Sequence, residues 1–313
     1  MDFPVFDLHC DTADKLIGTD GIPCSELRKN SSHIDLERAC NLPGYAQCFS
    51  CFTTYCNTMD PADVFEKKLN AIRRELAKNE DLIQQVYSAD AIEQNRKKGI
   101  ASAILTIEGP AGFGFDPEML ETLFLVGFRI TSLGWNEKNP LTGSCVTGGG
   151  LTDMGISYVK EAQRLGMIVD VSHISDEGFW DIMDITDAPV IATHSNSRHI
   201  WDVRRNLTDE MFLEICRTGG VAGINLYTDF LGDNVSVDTV CDHIFHFLNL
   251  DSTGKHIALG GDLDGCDTLP AEIRGIEDYS LIAECLSKRG LDETSIMNIF
   301  WNNAIEVMKK CCI

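Results

Sequence analysis

The stretch GMIVDVSH at residues 166–173 is followed by a helical pattern and then by PVIATH at residues 189–194. Both stretches are short apolar runs that end in a histidine, and such runs are typical of strands buried on both faces of a parallel sheet. Ser175 is a suitable N-cap for the helix between them. The pattern therefore predicts a strand, a crossover helix and a second, parallel strand.

The same alternation extends along the chain in both directions. Strands are predicted at residues 4–9, 45–54, 100–107, 127–133, 166–172, 189–194, 220–226 and 256–262. Helices are predicted to begin at Asp60-Pro61, Asp116-Pro117, Thr152 (ending at Leu165), Ser175 and Thr208, with a last helix over 292–309. Eight such units without a linker favour an α/β fold, a closed (β/α)8 TIM barrel that forms a single domain over residues 1–313. No glycine-rich phosphate loop follows the first strand, which argues against a nucleotide-binding open sheet.

Composition excludes several classes of partner. The chain has 26 Lys and Arg against 48 Asp and Glu, a formal charge of −22. This excess repels phosphate backbones and anionic lipid, so we expect no nucleic-acid partner and no membrane partner. The thirteen cysteines are odd in number and not spaced like a disulfide framework, and no signal peptide is visible. We therefore expect reduced thiols and a cytoplasmic location.

Metal-ligating side chains follow five of the predicted strands. They lie in His9-Cys10-Asp11, Glu108-Gly109, Ser172-His173, His194-Ser195 and Asp262-Leu263-Asp264-Gly265. The carboxyl ends of barrel strands meet on one face, and imidazole with carboxylate is the ligand set of catalytic zinc. These ligands are too many for one open site but suit two ions that share a carboxylate.

Two assignments stay open on the pattern alone. A further carboxylate should carry protons, but Asp262 and Asp264 would face the same way on a strand. His243 and His246 are three residues apart on a predicted helix. They form a weaker candidate for metal binding, and a solvated helix face explains them better.

Taken together, these motifs resemble the renal (membrane) dipeptidase family of zinc metallopeptidases, in particular a bacterial-type cytoplasmic member. The resemblance covers nearly the whole chain in the same order. It rests on DLHCD (7–11), IEG (107–109), LGMIVDVSH (165–173), PVIATHS (189–195), RRN (204–206) and GGDLDG (260–265). It implies a metal-dependent hydrolase barrel, two Zn²⁺ per chain, a dipeptide substrate and a homodimer.

The resemblance also implies residue roles. His9 and Asp11 match ligands of one ion, His173 and His194 match ligands of the other, and Glu108 matches the bridging carboxylate. Asp262 matches the acid/base aspartate, and Arg205 matches the arginine that holds the dipeptide carboxylate, with Arg204 as the alternative. The implied reaction is attack by a zinc-bridging hydroxide on the peptide bond of L,L and L,D dipeptides, with Asp262 passing the proton to the departing amine.

The chain departs from the family pattern after the fourth strand, where Leu133-Gly134-Trp135-Asn136 replaces Leu-Thr-His. We expect Trp135 and Asn136 to bind substrate in another way; alternatively, Trp135 is an aromatic lid. A related binuclear barrel hydrolase acting on a cyclic amide, lactone or N-acyl amino acid is the main rival. Many such enzymes begin with His-x-His and use a carbamylated lysine, so Asp11 and Glu108 argue against it. A non-catalytic binding protein on an enzyme scaffold is the second rival.

Overall fold

The computed structural model describes residues 3–18, 23–56 and 59–312. Strands and helices alternate along them. The strands are β1 (Val5–Cys10), β2 (Tyr45–Phe52), β3 (Ile83–Gln85), β4 (Ala101–Glu108), β5 (Phe128–Ser132), β6 (Ile168–Asp170), β7 (Val190–Ile191), β8 (Ala222–Ile224) and β9 (Ile257–Leu259). The α-helices are α1 (Thr12–Leu16), α2 (Leu36–Ala39), α3 (Pro61–Lys78), α4 (Ala89–Lys98), α5 (Met119–Val126), α6 (Asp153–Leu165), α7 (Asp176–Ile185), α8 (Asp209–Thr218), α9 (Val237–Leu250), α10 (Tyr279–Lys288), α11 (Glu293–Met297) and α12 (Asn303–Cys311).

Eight of these strands form a parallel barrel in the order β7-β6-β5-β4-β2-β1-β9-β8. The two end strands, β7 and β8, are joined by a single bridge between Ala192 and Ala222. Here the Ala192 N–H donates to the Val221 carbonyl at 3.0 Å, and the Gly223 N–H donates to the Ala192 carbonyl at 2.8 Å. We call this narrow junction the seam. The prediction of an eight-stranded barrel is confirmed.

The helix starts follow the predicted caps in most places. Asp60, Thr152, Ser175 and Thr208 each accept a hydrogen bond from a backbone N–H in the first turn. The predicted start at Asp116-Pro117 was wrong, because α5 begins at Met119. Instead, the Asp116 carbonyl accepts a hydrogen bond from the Met119 N–H, and the Pro117 carbonyl accepts one from the Leu120 N–H. These bonds span three residues each and form a 3₁₀-type turn at the start of the helix.

Alternate strand residues pack inside the barrel and leave its carboxyl end polar. The interior cluster contains one or two apolar side chains from seven of the eight barrel strands, among them Phe6, Ile104, Ile168 and Ile191, and Val221 from just before β8. The predicted last helix is α11 and α12 joined by a π-helical turn, Asn298–Asn302, and its Trp301 packs on Phe6 at 5.9 Å. The opposite end is therefore the one available for polar groups.

β3 was not predicted, and it pairs with the beginning of β4 outside the barrel order. Among the described residues, no helix combines the length and the apolar character needed to span a membrane. All thirteen cysteines carry free thiols.

Candidate metal centre

The structure brings His9, Asp11, Glu108, His173, His194 and Asp262 together at the carboxyl end of the barrel. The two groups His9–Glu108–His194 and His9–Asp11–Asp262 each have ligand atoms within 4.8 Å of one another. His9 lies in β1 and Glu108 is the last residue of β4, while the others follow β1, β6, β7 and β9 within a few residues. The strand-end pattern therefore predicted the location of this cluster.

Glu108 lies between the other ligands and is buried. Its Oε2 atom is 3.2 Å from His9 Nε2, and its Oε1 atom is 3.1 Å from His173 Nε2. Burial alone would raise the pKa of this carboxyl, but the charge on His9 opposes burial, and the pKa is held well below its usual value. Glu108 is therefore ionised, and each of its oxygens faces a different histidine.

The acidic half of the centre, which we define as His9, Asp11 and Asp262, is rich in carboxylates. His9 Nε2 is 3.5 Å from Asp11 Oδ2 and 3.8 Å from Asp262 Oδ1. Burial opposes the positive charge on His9, but Glu108 and Asp11 outweigh it and raise the pKa of the imidazole well above its usual value. His9 Nε2 and Asp11 Oδ1 are both buried without a hydrogen-bond partner in the described chain.

The imidazole half, which we define as His173 and His194, is uncharged. His173 Nδ1 is 2.9 Å from the carboxamide oxygen of Asn136, which only accepts, so Nδ1 carries the proton. Thr193 Oγ1 donates to Asp170 at 2.6 Å and therefore accepts from His194 Nδ1, also at 2.6 Å. The two Nε2 atoms, which lie 3.0 Å apart, are therefore unprotonated, and their lone pairs face the centre.

Burial keeps the imidazole half neutral. Burial and then the charge of Arg205 lower the pKa of His173 to about 4. Burial, followed by His9 and Arg205, lowers the pKa of His194 well below its usual value. A neutral imidazole is the form that binds a metal ion.

Two buried aspartates beneath the centre hold the ligand-bearing turns, and the sequence analysis assigned them no role. Asp7 accepts from the His9 N–H at 2.9 Å, from the Gly261 N–H and from the Tyr279 hydroxyl. Asp170 accepts from the Ser172 and Thr193 N–H groups, both at 2.9 Å. The available signal was their spacing, since each precedes a ligand by two or three residues.

Backbone conformation at the centre is strained at two predicted site residues. His173 has φ 69° and Asp262 has φ 56°, a region that costs an ordinary residue about 1–2 kcal/mol. Hydrogen bonds stabilise both conformations. The Cys145 N–H donates to the His173 carbonyl, and the Gly265 and Cys266 N–H groups donate to the Asp262 carbonyl. Gly265 has no room for a side chain, because a Cβ there would collide with the carboxylates of Asp11 and Asp262.

Asp262, and not Asp264, faces the other ligands. Asp264 accepts from Thr12 Oγ1 and from the His33 N–H, each at 2.7 Å, and is thereby held in the surrounding loops. Burial raises the pKa of Asp262 to about 7, assisted by Asp11 and opposed by His9. Asn225 Nδ2 donates to Asp262 Oδ2 at 3.1 Å and to the His194 carbonyl at 3.3 Å. Sequence reasoning missed Asn225, although it is the penultimate residue of the predicted strand 220–226.

Arg205 is buried, with 6% of its surface exposed. Its Nη1 donates to Ser195 Oγ at 2.6 Å, while Nε and Nη2 are buried and have no hydrogen-bond partner in the described residues. Arg204 is exposed and lines a cavity of about 360 Å³ with Arg198 and Asp176, and it also borders the smaller space beside Arg205 and His173. Two free donors on a buried guanidinium are an arrangement that suits an anionic ligand.

Trp135 and Asn136 lie beside His173. Trp135 is half-buried, and its ring centroid is 5.1 Å from that of Phe52 and 6.2 Å from that of His173. The carboxamide oxygen of Asn136 is committed to His173 Nδ1. The substrate-binding roles of these two residues stay predictions, and the observed contact gives Asn136 an orienting role.

These donors fit a pair of divalent ions. Imidazole nitrogens and carboxylate oxygens converge, Nε2 of His9 and Oδ1 of Asp11 lack partners, and Glu108 presents one oxygen to each half. A closed parallel barrel with this ligand set at its carboxyl end defines a metal-dependent hydrolase of the barrel class.

Comparison with known proteins identifies the family. The chain belongs to the membrane dipeptidase family (peptidase family M19), whose profile matches residues 1–312. It is a metallo-dipeptidase, so the family and activity predicted from the sequence are confirmed.

Several relatives are similar over most of their length. The chain is 31% identical over 264 residues to an uncharacterized protein in the pqqA 5′ region of Klebsiella pneumoniae, covering 80% of this chain and 97% of that protein. It is 32% identical over 305 residues to an uncharacterized dipeptidase of Schizosaccharomyces pombe, covering 90% and 72%. A solved metallo peptidase from Rhodobacter sphaeroides, liganded with a phosphinate mimic of L-Ala-D-Ala, has a TM-score of 0.90 at 23% identity, covering 99% and 100%. That structure supports the fold.

Proposed function

We propose that this metallo-dipeptidase works with two Zn²⁺ ions, one bound by His9 and Asp11 and the other by His173 and His194, with Glu108 bridging them. The observation that carries the proposal is the position of Glu108, whose two oxygens lie 3.2 Å and 3.1 Å from histidines of opposite halves. When bound, the two ions would activate a water molecule and polarise the peptide carbonyl.

Arg205 would hold the terminal carboxylate of the substrate. Its unpartnered Nε and Nη2 atoms are the two neighbouring donors that grip a carboxylate bidentately. A fixed, buried guanidinium would set which bond is cut, because the chain must end one residue beyond that bond. A dipeptide held in this way would place its free amino group beside the metal centre, whereas a tripeptide would place a further residue there.

Asp262 would carry the proton. It lies 3.8 Å from His9, is oriented by Asn225, and has a pKa of about 7 in the metal-free chain because it is buried. A carboxyl with a pKa near the working pH both accepts and gives a proton readily. Divalent ions in the centre would lower this pKa, so Asp262 would begin the reaction as a base and then protonate the departing amine.

Trp135 would cover the site beside His173, where its ring excludes water from one side of the substrate. It also packs against Phe52, the last residue of β2, and this contact fixes its position. Asn136 would fix the tautomer of His173 through the 2.9 Å hydrogen bond.

We further infer one domain over residues 1–313. The strands of the single sheet extend from Val5 to Leu259, and Trp301, near the end of the chain, packs against Phe6 at the amino end of the barrel. The free thiols support a cytoplasmic location, because cytoplasmic proteins keep their cysteines reduced. The homodimer stays a prediction, which light scattering at several protein concentrations would test.

Metal analysis and a matched substrate panel test this proposal. Purified protein should contain two Zn²⁺ per chain and cleave L-Ala-L-Ala and L-Ala-D-Ala. It should fail on L-Ala-L-Ala-L-Ala and on the C-terminal amide of L-Ala-L-Ala, which lacks the carboxylate that Arg205 would hold. Fully loaded protein that cleaves no dipeptide would reject the function, and equal turnover of the amide would reject only the role of Arg205.

A further inference from the structure

A second group of metal-ligating side chains lies outside this centre. His199 lies in the segment between β7 and α8, Asp209 is the first residue of α8, and His246 lies on α9. Their ligand atoms are all within 4.8 Å of one another, and His246 Nε2 is 2.8 Å from Asp209 Oδ1. The rings of His199 and His246 are stacked, with centroids 4.4 Å apart. We call these three residues the His199 cluster.

The packing of the fold does not account for this cluster. His243, the neighbour of His246 on α9, is fully satisfied, since Nδ1 accepts from the Ser197 N–H at 3.1 Å and Nε2 donates to the Leu231 carbonyl at 3.0 Å. His199 is exposed, and its side chain makes no hydrogen bond within the described ranges. His246 is half-buried and turned toward Asp209.

The charge on Asp209 is available to a cation. Within the described part of the chain, its ion pairing is with His246 and not with a lysine or arginine. Asp242, on the same face of α9 as His246, is instead paired with Arg289 Nη1 at 2.8 Å. A carboxylate and two imidazoles without a competing permanent cation form a ligand set for zinc and related divalent ions.

We propose that the His199 cluster binds a third divalent ion of the Zn²⁺, Co²⁺ or Ni²⁺ class. Zinc binds imidazole nitrogen and carboxylate oxygen at about 2.0–2.2 Å, so two ligands of a tetrahedral ion lie about 3.4 Å apart. His246 and Asp209, now 2.8 Å apart, would separate slightly to admit the ion, and His199 would turn toward them from its exposed position. Water would complete the coordination.

This ion would act on the segment that carries Arg205. That segment runs from Ser195 to Thr208, with His199 in its first half and Arg205 in its second half. His243 already holds Ser197 and Asp176 holds Arg198, and the ion would add a further attachment, from His199 to α8 and α9. Occupancy of the His199 cluster would therefore restrict the backbone on which Arg205 is mounted.

Calorimetric titration of the two-zinc protein with ZnCl₂ tests the site directly. We expect one additional ion per chain, with affinity reduced by at least about tenfold in His199→Ala and in His246→Ala. Asp242→Asn is the matched control, since it removes a carboxylate from the same helix face without removing a ligand. It should keep the third ion, and all the variants should keep the first two.

Hydrogen exchange tests the attachment of the segment. The third ion should slow exchange over residues 196–207 in the wild-type protein and have no such effect in His199→Ala. Saturation at two ions, or a third ion bound equally well by both histidine variants, would overturn the site. A third ion that leaves the exchange of this segment unchanged would overturn its effect on the Arg205 segment. Dipeptide turnover enters none of these measurements, so their outcome is separate from that of the proposed function.

Discussion

The acidic half and the imidazole half of the centre are prepared for metal in opposite ways. In the acidic half, Asp11 and Asp262 lie near His9, and the carboxylates raise the pKa of that imidazole. In the imidazole half, burial and Arg205 depress the pKa values of His173 and His194. One half thus attracts a cation by charge, whereas the other presents neutral nitrogens whose protons are already directed elsewhere.

This contrast shows that the two halves should respond differently when the metal is removed. Crowded carboxylates repel one another without a cation between them, whereas neutral imidazoles do not. Glu108 contacts both halves, so substitutions in the centre can be chosen to affect both halves or only one.

The largest effect is expected for Glu108→Gln. It removes the negative charge between the halves with little change in volume, so both ions should be lost and kcat/KM should fall by at least about 10⁴-fold. Metal analysis of the purified variant, together with dipeptide turnover, measures this. Glu75→Gln alters an equally buried carboxylate on α3, outside the centre, and should keep both ions.

Asp262→Asn should separate the proton carrier from the ligands. The variant should bind two ions but lose about 10²–10⁴-fold in kcat, because an amide transfers no proton. Single-turnover kinetics on metal-loaded protein measures this. Unchanged turnover would exclude Asp262 as the acid/base group while leaving the metal centre intact.

Gly265→Ala should damage the acidic half by displacement alone. The new Cβ would push on the carboxylates of Asp11 and Asp262, and a shift of about 1 Å costs on the order of 10²-fold in rate. Gly99→Ala provides the control, since Gly99 caps α4 outside the centre with φ 69° and no atom near its Cβ position. Alanine there should lower stability through backbone strain without displacing any group of the centre. Equal rates in the two variants would show that the acidic half tolerates the displacement.

Arg205→Lys tests how the substrate carboxylate is held beside the imidazole half. Lysine keeps the charge but not the paired donors, so KM for dipeptides should rise by about 30-fold with a smaller change in kcat. Arg204→Lys, at an exposed neighbouring position, should leave both constants near the wild-type values. A greater effect at Arg204 would assign the carboxylate to that residue.

The last effect is on stability and not on turnover, and it concerns the metal-free protein. Because the pKa of Asp262 is raised from 3.8 to about 7, the folded chain favours its protonated form, and stability falls as pH rises through that interval. Above pH 7, metal-free Asp262→Asn should therefore be more stable than the metal-free wild type, by about 4 kcal/mol at most. Thermal melts from pH 5 to pH 8 should show the difference closing toward low pH.

Much of this arrangement could be predicted from the sequence, because buried parallel strands have a strong pattern and their carboxyl ends must meet. This pattern alone places His9, Glu108 and His194 together. It could not distinguish Asp262 from Asp264, since the choice depends on a left-handed turn and on bonds from Thr12 and His33, which are distant in sequence.

The supporting residues were harder to predict. Asp7, Asp170 and Asn225 act through bonds to backbone or side chains brought close only by closure of the barrel. β3 is three residues long, and so short a strand carries almost no periodic signal. Helix α8 and strand β8 lie between His199 and α9, which carries His246, so the two rings stack only in the folded chain.

The seam between β7 and β8 has a consequence for the rate at which metal leaves. Across it, Asn225 reaches the carbonyl of the ligand His194, and the Ser195 N–H donates to the Gly223 carbonyl at 2.8 Å. The three backbone bonds and few side-chain bonds across the seam are easier to open transiently than the long ladders between β1, β2 and β4. Each such opening would move His194 away from the acidic half, so we expect dissociation of the proposed metal ions to be limited by transient opening of the barrel wall at this junction.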